Sequence, residues 1–170
     1  MMKCKSKPAY TLSPFCVLID NNENLPYGFH AIIEYGNVPV TVETKSVSLY
    51  TGDYSIEGHQ NNISVERKSV EDLYSTLVRR RQPFCNELQR LCDMKAAAVV
   101  VEGTLNDICY NPPEFTTVNP RSIFGSILAF MQRYRGCHWI FAGNRKMGAE
   151  VTYRFLERYW KDLHKNEGKI

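Results

Sequence analysis

Four side chains able to do hydrolytic chemistry fall in one short stretch of this 170-residue chain, "TGDYSIEGHQNNISVERKSVEDL" (51–73): Asp53, Glu66, Lys68 and Asp72. Side chains alternate across a strand, so in "ISVERK" Glu66 and Lys68 share a face and Arg67 points to the other. If "GDYSI" pairs with "ISVERK" across the turn between them, Asp53 comes beside Glu66. Two carboxylates held together repel unless a cation or a shared proton relieves them. Mg²⁺ does this well and takes one or two protein carboxylates, and Mn²⁺ is expected to substitute. Such an ion polarises a phosphodiester and lowers the pKa of its bound water. Lys68, aimed at the same place, can position or help deprotonate that water and offset negative charge in the transition state. Asp20 ends the apolar run "FCVLID". It and Glu23 can reach the site as further metal ligands, or hold water around it.

Each of these residues also has a plainer reading. Asp53 can be a turn acid after Gly52. Ser69 and Asp72 have capping-box spacing, so Asp72 can serve the helix start, the chemistry, or both. Arg67 can form an ion pair under the sheet rather than take part in catalysis. Glu102, after "AAAVVV", reads as a solvated strand-end acid.

The elements that must position these groups are legible as changes of period. "FCVLID" reads as a buried strand, and "LPYGFHAIIEYG" as a short helix closed by Gly36. "VPVTVETKSVSLYTGDYSI" and "ISVERK" read as strands, the last two joined in a hairpin across "EGHQNN". A helix follows from Ser69, and another from Pro83 with Phe84, Leu88, Leu91 and Cys92 on one stripe. "AAAVVV" is a central strand covered on both faces. "NDICYNPPEFTTVNP" reads as a long loop. A helix after Pro120 carries Ile123, Ile127, Met131 and Tyr134 up to Gly136. "CHWIFAG" is a strand, and the last helix sets Val151, Phe155, Tyr159 and Leu163 four apart. This order gives an α/β fold, one mixed sheet with helices on both faces.

Composition narrows the class further. The hydrophobic share of 44% supports one core, and no apolar run is long enough to span a bilayer. No secretory signal precedes the first strand. Six cysteines without a CxxC pair point to reduced thiols in a cytosolic compartment, and four histidines without paired spacing argue against zinc chemistry. The net charge of +3 does not by itself announce a nucleic acid. The run Arg79, Arg80, Arg81 is a concentrated cationic cluster at a helix end, where cations are favourable in any case.

Gly52-Asp53, then Glu66-Arg67-Lys68, then Asp72 after three residues, resembles the GD…ERK…D signature of the XPF/Mus-type (ERCC-family) structure-specific endonucleases. That family belongs to the restriction-endonuclease-like PD-(D/E)xK superfamily. "LIDNNE" resembles its strand-end acid followed by Glu, here Asp20 and Glu23, with Asn22 where the family usually has Arg. The likeness runs over 15–163. It implies a restriction-endonuclease-like mixed sheet flanked by helices and an Mg²⁺-dependent DNA endonuclease. Asp53, Glu66, Lys68, Arg67 and Asp72 would be catalytic, and Asp53, Glu66, Asp20 and Glu23 would serve the metal. One of Arg79, Arg80 and Arg81 would contact phosphate, Arg81 foremost. The implied substrate is branched, flap or fork DNA in repair or recombination, and the implied assembly is a homodimer or a heterodimer with a related subunit. The expected organisation is a flexible leader (1–14) and one nuclease domain (15–170), without helix-hairpin-helix or helicase domain. The expected compartment is cytoplasmic, or nuclear in a eukaryote, and not secreted. Two rival readings remain: a non-catalytic DNA-binding scaffold subunit, and a stand-alone nicking or restriction-like nuclease of a phage or mobile element.

Overall fold

The computed structural model describes residues 10–34, 38–114 and 116–166. In chain order its strands are β1 (Thr11–Leu12), β2 (Val17–Asp20), β3 (Ile33–Glu34), β4 (Val38–Thr41), β5 (Thr44–Val47), β6 (Tyr54–Ile56), β7 (Ile63–Lys68), β8 (Ala96–Val101) and β9 (Cys137–Phe141). The helices are α1 (Val70–Arg79), α2 (Arg81–Cys92), α3 (Leu105–Tyr110), α4 (Pro120–Arg133) and α5 (Arg145–Leu163). The main sheet runs β5-β2-β6-β7-β8-β9. β6 is antiparallel to both β2 and β7, and the pairs β2–β5, β7–β8 and β8–β9 are parallel. This is the expected mixed sheet.

Period-two alternation divides the sheet into two cores. In β8, Ala98 and Val100 pack towards α5, with Phe15, Tyr27, Tyr54 and Tyr153. Ala97, Val99 and Val101 pack towards α1, α2 and α4, with Leu73, Phe84, Leu88 and Ile127. Each fully buried side chain of this size contributes about 1.5–3 kcal/mol, so both layers anchor the central strands firmly. In β7, Ile63 and Val65 join the α5-side core. Glu66 and Lys68 must therefore face α1 and α2, and Arg67 must face α5.

Several expectations need correction. A second, three-stranded sheet, β1-β4-β3, stands beside the main one. The expected leader is accordingly too long at its end, because Thr11 and Leu12 pair with Val40 and Thr41; residues 1–9 lie outside the described residues. "LPYGFHAIIEYG" holds a 3₁₀ turn, Phe29–Ala31, and strand β3 in place of the expected helix, and Gly36 lies outside the described residues. The long loop after β8 begins as α3, because Thr104 and Asp107 form a reciprocal capping box. The buried stripe of α4 uses Phe130 rather than Met131, and the helix ends at Arg133, before Gly136. In α5 the expected Val151, Phe155 and Tyr159 pack against the core beside Leu156 and Trp160, but Tyr153 is buried with them and Leu163 is exposed. The five described cysteines are free thiols. Among the described residues no helix is long and apolar enough to cross a membrane.

Candidate active site

The β6–β7 pairing sets Tyr54 opposite Val65. Gly52 precedes it with φ +72°, a conformation that glycine adopts without strain, and a Cβ there would collide with Ser64. The chain thus turns tightly and delivers Asp53 against β7. Asp53 Oδ2 accepts a 2.7 Å hydrogen bond from the Arg67 amide, which fixes the carboxylate beside Glu66. Glu66 is buried and in direct contact with the Lys68 ammonium. Lys68 lies over the ring of Phe84 at 5.2 Å, held there by α2. A cavity of about 370 Å³ opens over this group and is lined by Glu23, Asp53, Glu66, Lys68, Asp72 and Arg80, among others.

The charges in this cavity are strained. Burial, reinforced by Glu66, pushes the Asp53 carboxyl up from 3.8 to about 8, against the pull of the Arg67 amide and Lys68. Burial also raises Glu66; Lys68 opposes the rise, and Glu87 of α2 adds to it. For Lys68, burial works to lower the pKa, but Glu66, Glu87 and Asp53 together raise it and keep the side chain an ammonium. Buried oxygen donors with too little positive charge around them suit a hard divalent cation. Among the described residues no three His, Cys, Asp or Glu side chains converge to hold an ion alone. Mg²⁺ does not need them, because two carboxylates suffice when water and phosphate complete its coordination. Asp53 and Glu66 therefore fit the implied metal.

The other candidates divide. Glu23 lines the cavity but is pinned, with Oε1 accepting from the Leu25 amide at 2.7 Å and both oxygens 3.4 Å from Arg67. Asp20 does not join the group. Its oxygens accept from the amides of Asn22 (2.9 Å) and Leu49 (2.7 Å), so it clasps the loop before Asp53 instead of facing the cavity. Asp72 does two things: it lines the cavity, and it accepts from Ser69 Oγ at 3.0 Å while its amide donates back to that oxygen.

Arg67 is on the opposite face, as strand alternation requires. It is clamped by Glu102 through Nε (2.7 Å) and Nη2 (2.9 Å). Glu102 is not the solvated acid expected, being 8% exposed at its side chain and also paired with Arg145. Arg67 therefore positions Glu23, and through its amide Asp53, and it borders the cavity as well. Of the arginine run, Arg80 lines the cavity. Arg81 turns to α4, hydrogen-bonding Ser126 at 2.8 Å and covering Phe130, and Arg79 lies on an exposed last turn. The structure thus brings Arg80, exposed between α1 and α2, to the edge of the cavity, and not Arg81. Glu87 was missed; its signal was a charge three residues after Phe84, on the edge of the buried stripe of α2.

This fold and this constellation, two acids and a lysine at the end of a mixed-sheet hairpin, define an XPF-type nuclease domain. The family model for the ERCC4 domain matches residues 19–155, most of the chain, and the chain belongs to that family. Its fold is similar to XPF from Aeropyrum pernix, with a TM-score of 0.61 and 22% identity over 84% of this chain and 60% of that one. No curated protein matches the chain significantly.

Proposed function

We propose that this chain is an Mg²⁺-dependent DNA endonuclease acting on branched, flap or fork DNA. The observation that carries this reading is the Asp53–Glu66 pair, held by the Arg67 amide and set beside the Lys68 ammonium in one open cavity. Asp53 and Glu66 would hold the ion, which when bound supplies Lewis acidity to the phosphate and lowers the pKa of its water. Lys68 offers N–H donors to the attacking water or the phosphate oxygen and offsets negative charge developing there. Arg80, at the rim, offers a guanidinium to a neighbouring phosphate. Arg67 and Glu102 keep the far side of β7 rigid. A homodimer or a pairing with a related subunit would supply further DNA-binding surface.

The test is cleavage of single-stranded, duplex, flap and fork DNA with Mg²⁺ or Mn²⁺. Wild type cuts the branched substrates. Glu66→Gln and Lys68→Ala lose at least a hundredfold in rate, on the scale of removing one preorganised stabilising group, and keep wild-type circular dichroism. Undiminished cleavage by either variant removes the mechanism. Inactive wild type that still binds branched DNA favours the scaffold reading.

A further inference from the structure

The connection from β5 to β6 (48–53) is a loop braced against the end of β2 and against β7. The Asn21 amide donates to Val47, the Leu49 amide to Asp20 Oδ1, and Ser64 Oγ to the Thr51 carbonyl at 2.9 Å. From this loop Tyr50 projects with 77% of its surface exposed. Arg90 of α2 lies 5.5 Å from the ring centroid. With so little of the ring covered, Arg90 leaves at least one face open. Arg90 also lines a cavity of about 200 Å³ together with Lys68 and Arg80, directly adjoining the catalytic cavity. Its Nε is buried with no hydrogen-bond partner among the described residues. A path lined by Lys68, Arg80 and Arg90, with Glu87 as its one acid, therefore runs from the catalytic cavity to an open aromatic face.

We propose that Tyr50, backed by Arg90, is a stacking site for an unpaired nucleobase next to the cleaved phosphodiester. This rests on the nuclease reading above and adds to it a residue that recognises single-stranded character. The physical reason is that every base has a π-face, while a paired base inside a duplex keeps its faces covered by its neighbours. Tyr50 stands three positions before Asp53, so their Cα atoms lie at most about 11 Å apart. At 3.4 Å per stacked base, the bound base lies within about three nucleotides of the scissile phosphate. The guanidinium behind the ring strengthens the platform and is available to the adjoining phosphate.

The experiment uses flap DNA with 2-aminopurine at unpaired positions one to three from the branch, and blunt duplex of equal length. Binding is read by anisotropy and 2-aminopurine quenching in EDTA, so that cleavage does not intervene. Wild type and Tyr50→Phe prefer the flap and quench the probe. Tyr50→Ala, an exposed substitution that leaves the fold intact, loses roughly 5- to 150-fold in flap affinity, little in duplex affinity, and the quench. If Tyr50→Ala keeps the wild-type flap preference and quench, this inference fails and the nuclease reading stands. If wild type binds neither DNA, both fall.

Discussion

Replacing Asp53 by Asn should stabilise the metal-free protein while abolishing its chemistry. The Asp53 carboxyl is raised from 3.8 to about 8 because folding buries it beside Glu66. A group whose folded pKa lies above its unfolded value favours folding fully below the unfolded pKa. That contribution is lost as pH rises through the window from 3.8 to about 8. The whole gap corresponds to about 6 kcal/mol at 1.36 kcal/mol per unit, a ceiling that water in the open cavity reduces, and about 2 kcal/mol is expected. Asn removes the titration and keeps an oxygen that accepts the Arg67 amide at 2.7 Å, so the hairpin stays docked. The groups around this position are Glu66 and Lys68 on β7, Glu23 in the loop after β2, and Glu87 on α2 behind Glu66. The assay is urea unfolding of both proteins in EDTA at several pH values. The stability gain of Asp53→Asn over wild type should be near zero at pH 4, grow to about 2 kcal/mol by pH 8.5, and level off. Saturating Mg²⁺ should then reverse the order, since only wild type gains from binding the ion. A variant less stable than wild type in EDTA at every pH, or a difference flat with pH, would refute the idea that two acids are held together against their repulsion.

Two further outcomes follow from the other face and from the rim. Glu102→Ala should cost about 3 kcal/mol in urea unfolding, because it leaves the buried Arg67 with the 3.4 Å contact to Glu23 as its one ion pair among the described residues; a loss below about 1 kcal/mol would mean that Arg67 needs no clamp. In salt titrations of DNA binding, Arg80→Ala should flatten the slope of log K against log salt by about one, and Arg81→Ala should leave it unchanged, since Arg81 is already spent on Ser126 and Phe130; the reverse ranking would return phosphate contact to Arg81.

What could be read from the sequence was whatever obeyed a local period. The faces of Glu66, Arg67 and Lys68 follow from alternation alone. The hairpin follows from two β-rich runs around a polar turn, and the Ser69 cap from its spacing to Asp72. What escaped depended on partners far along the chain. Glu102 looked solvated because nothing near it in sequence announces Arg67 and Arg145. Asp20 looked like a metal ligand because it ends a strand beside the site, yet the Leu49 amide, 29 residues on, claims one of its oxygens. The small sheet was invisible because β1 and β3 are two residues each, too short to show a period.

Strand β7 puts adjacent residues to opposite uses: Glu66 and Lys68 serve the cavity, while Arg67 locks the layer behind. Parity is thus part of the design. Deleting one residue between Ile63 and Glu66 would turn the guanidinium towards the substrate and drive the acid and the ammonium into the aromatic layer under α5. The same deletion at the tip of the "EGHQNN" turn would leave the strand untouched. Length variation in this domain is therefore tolerable at the hairpin's end and ruinous a few residues further on, with no change in overall composition to mark the difference.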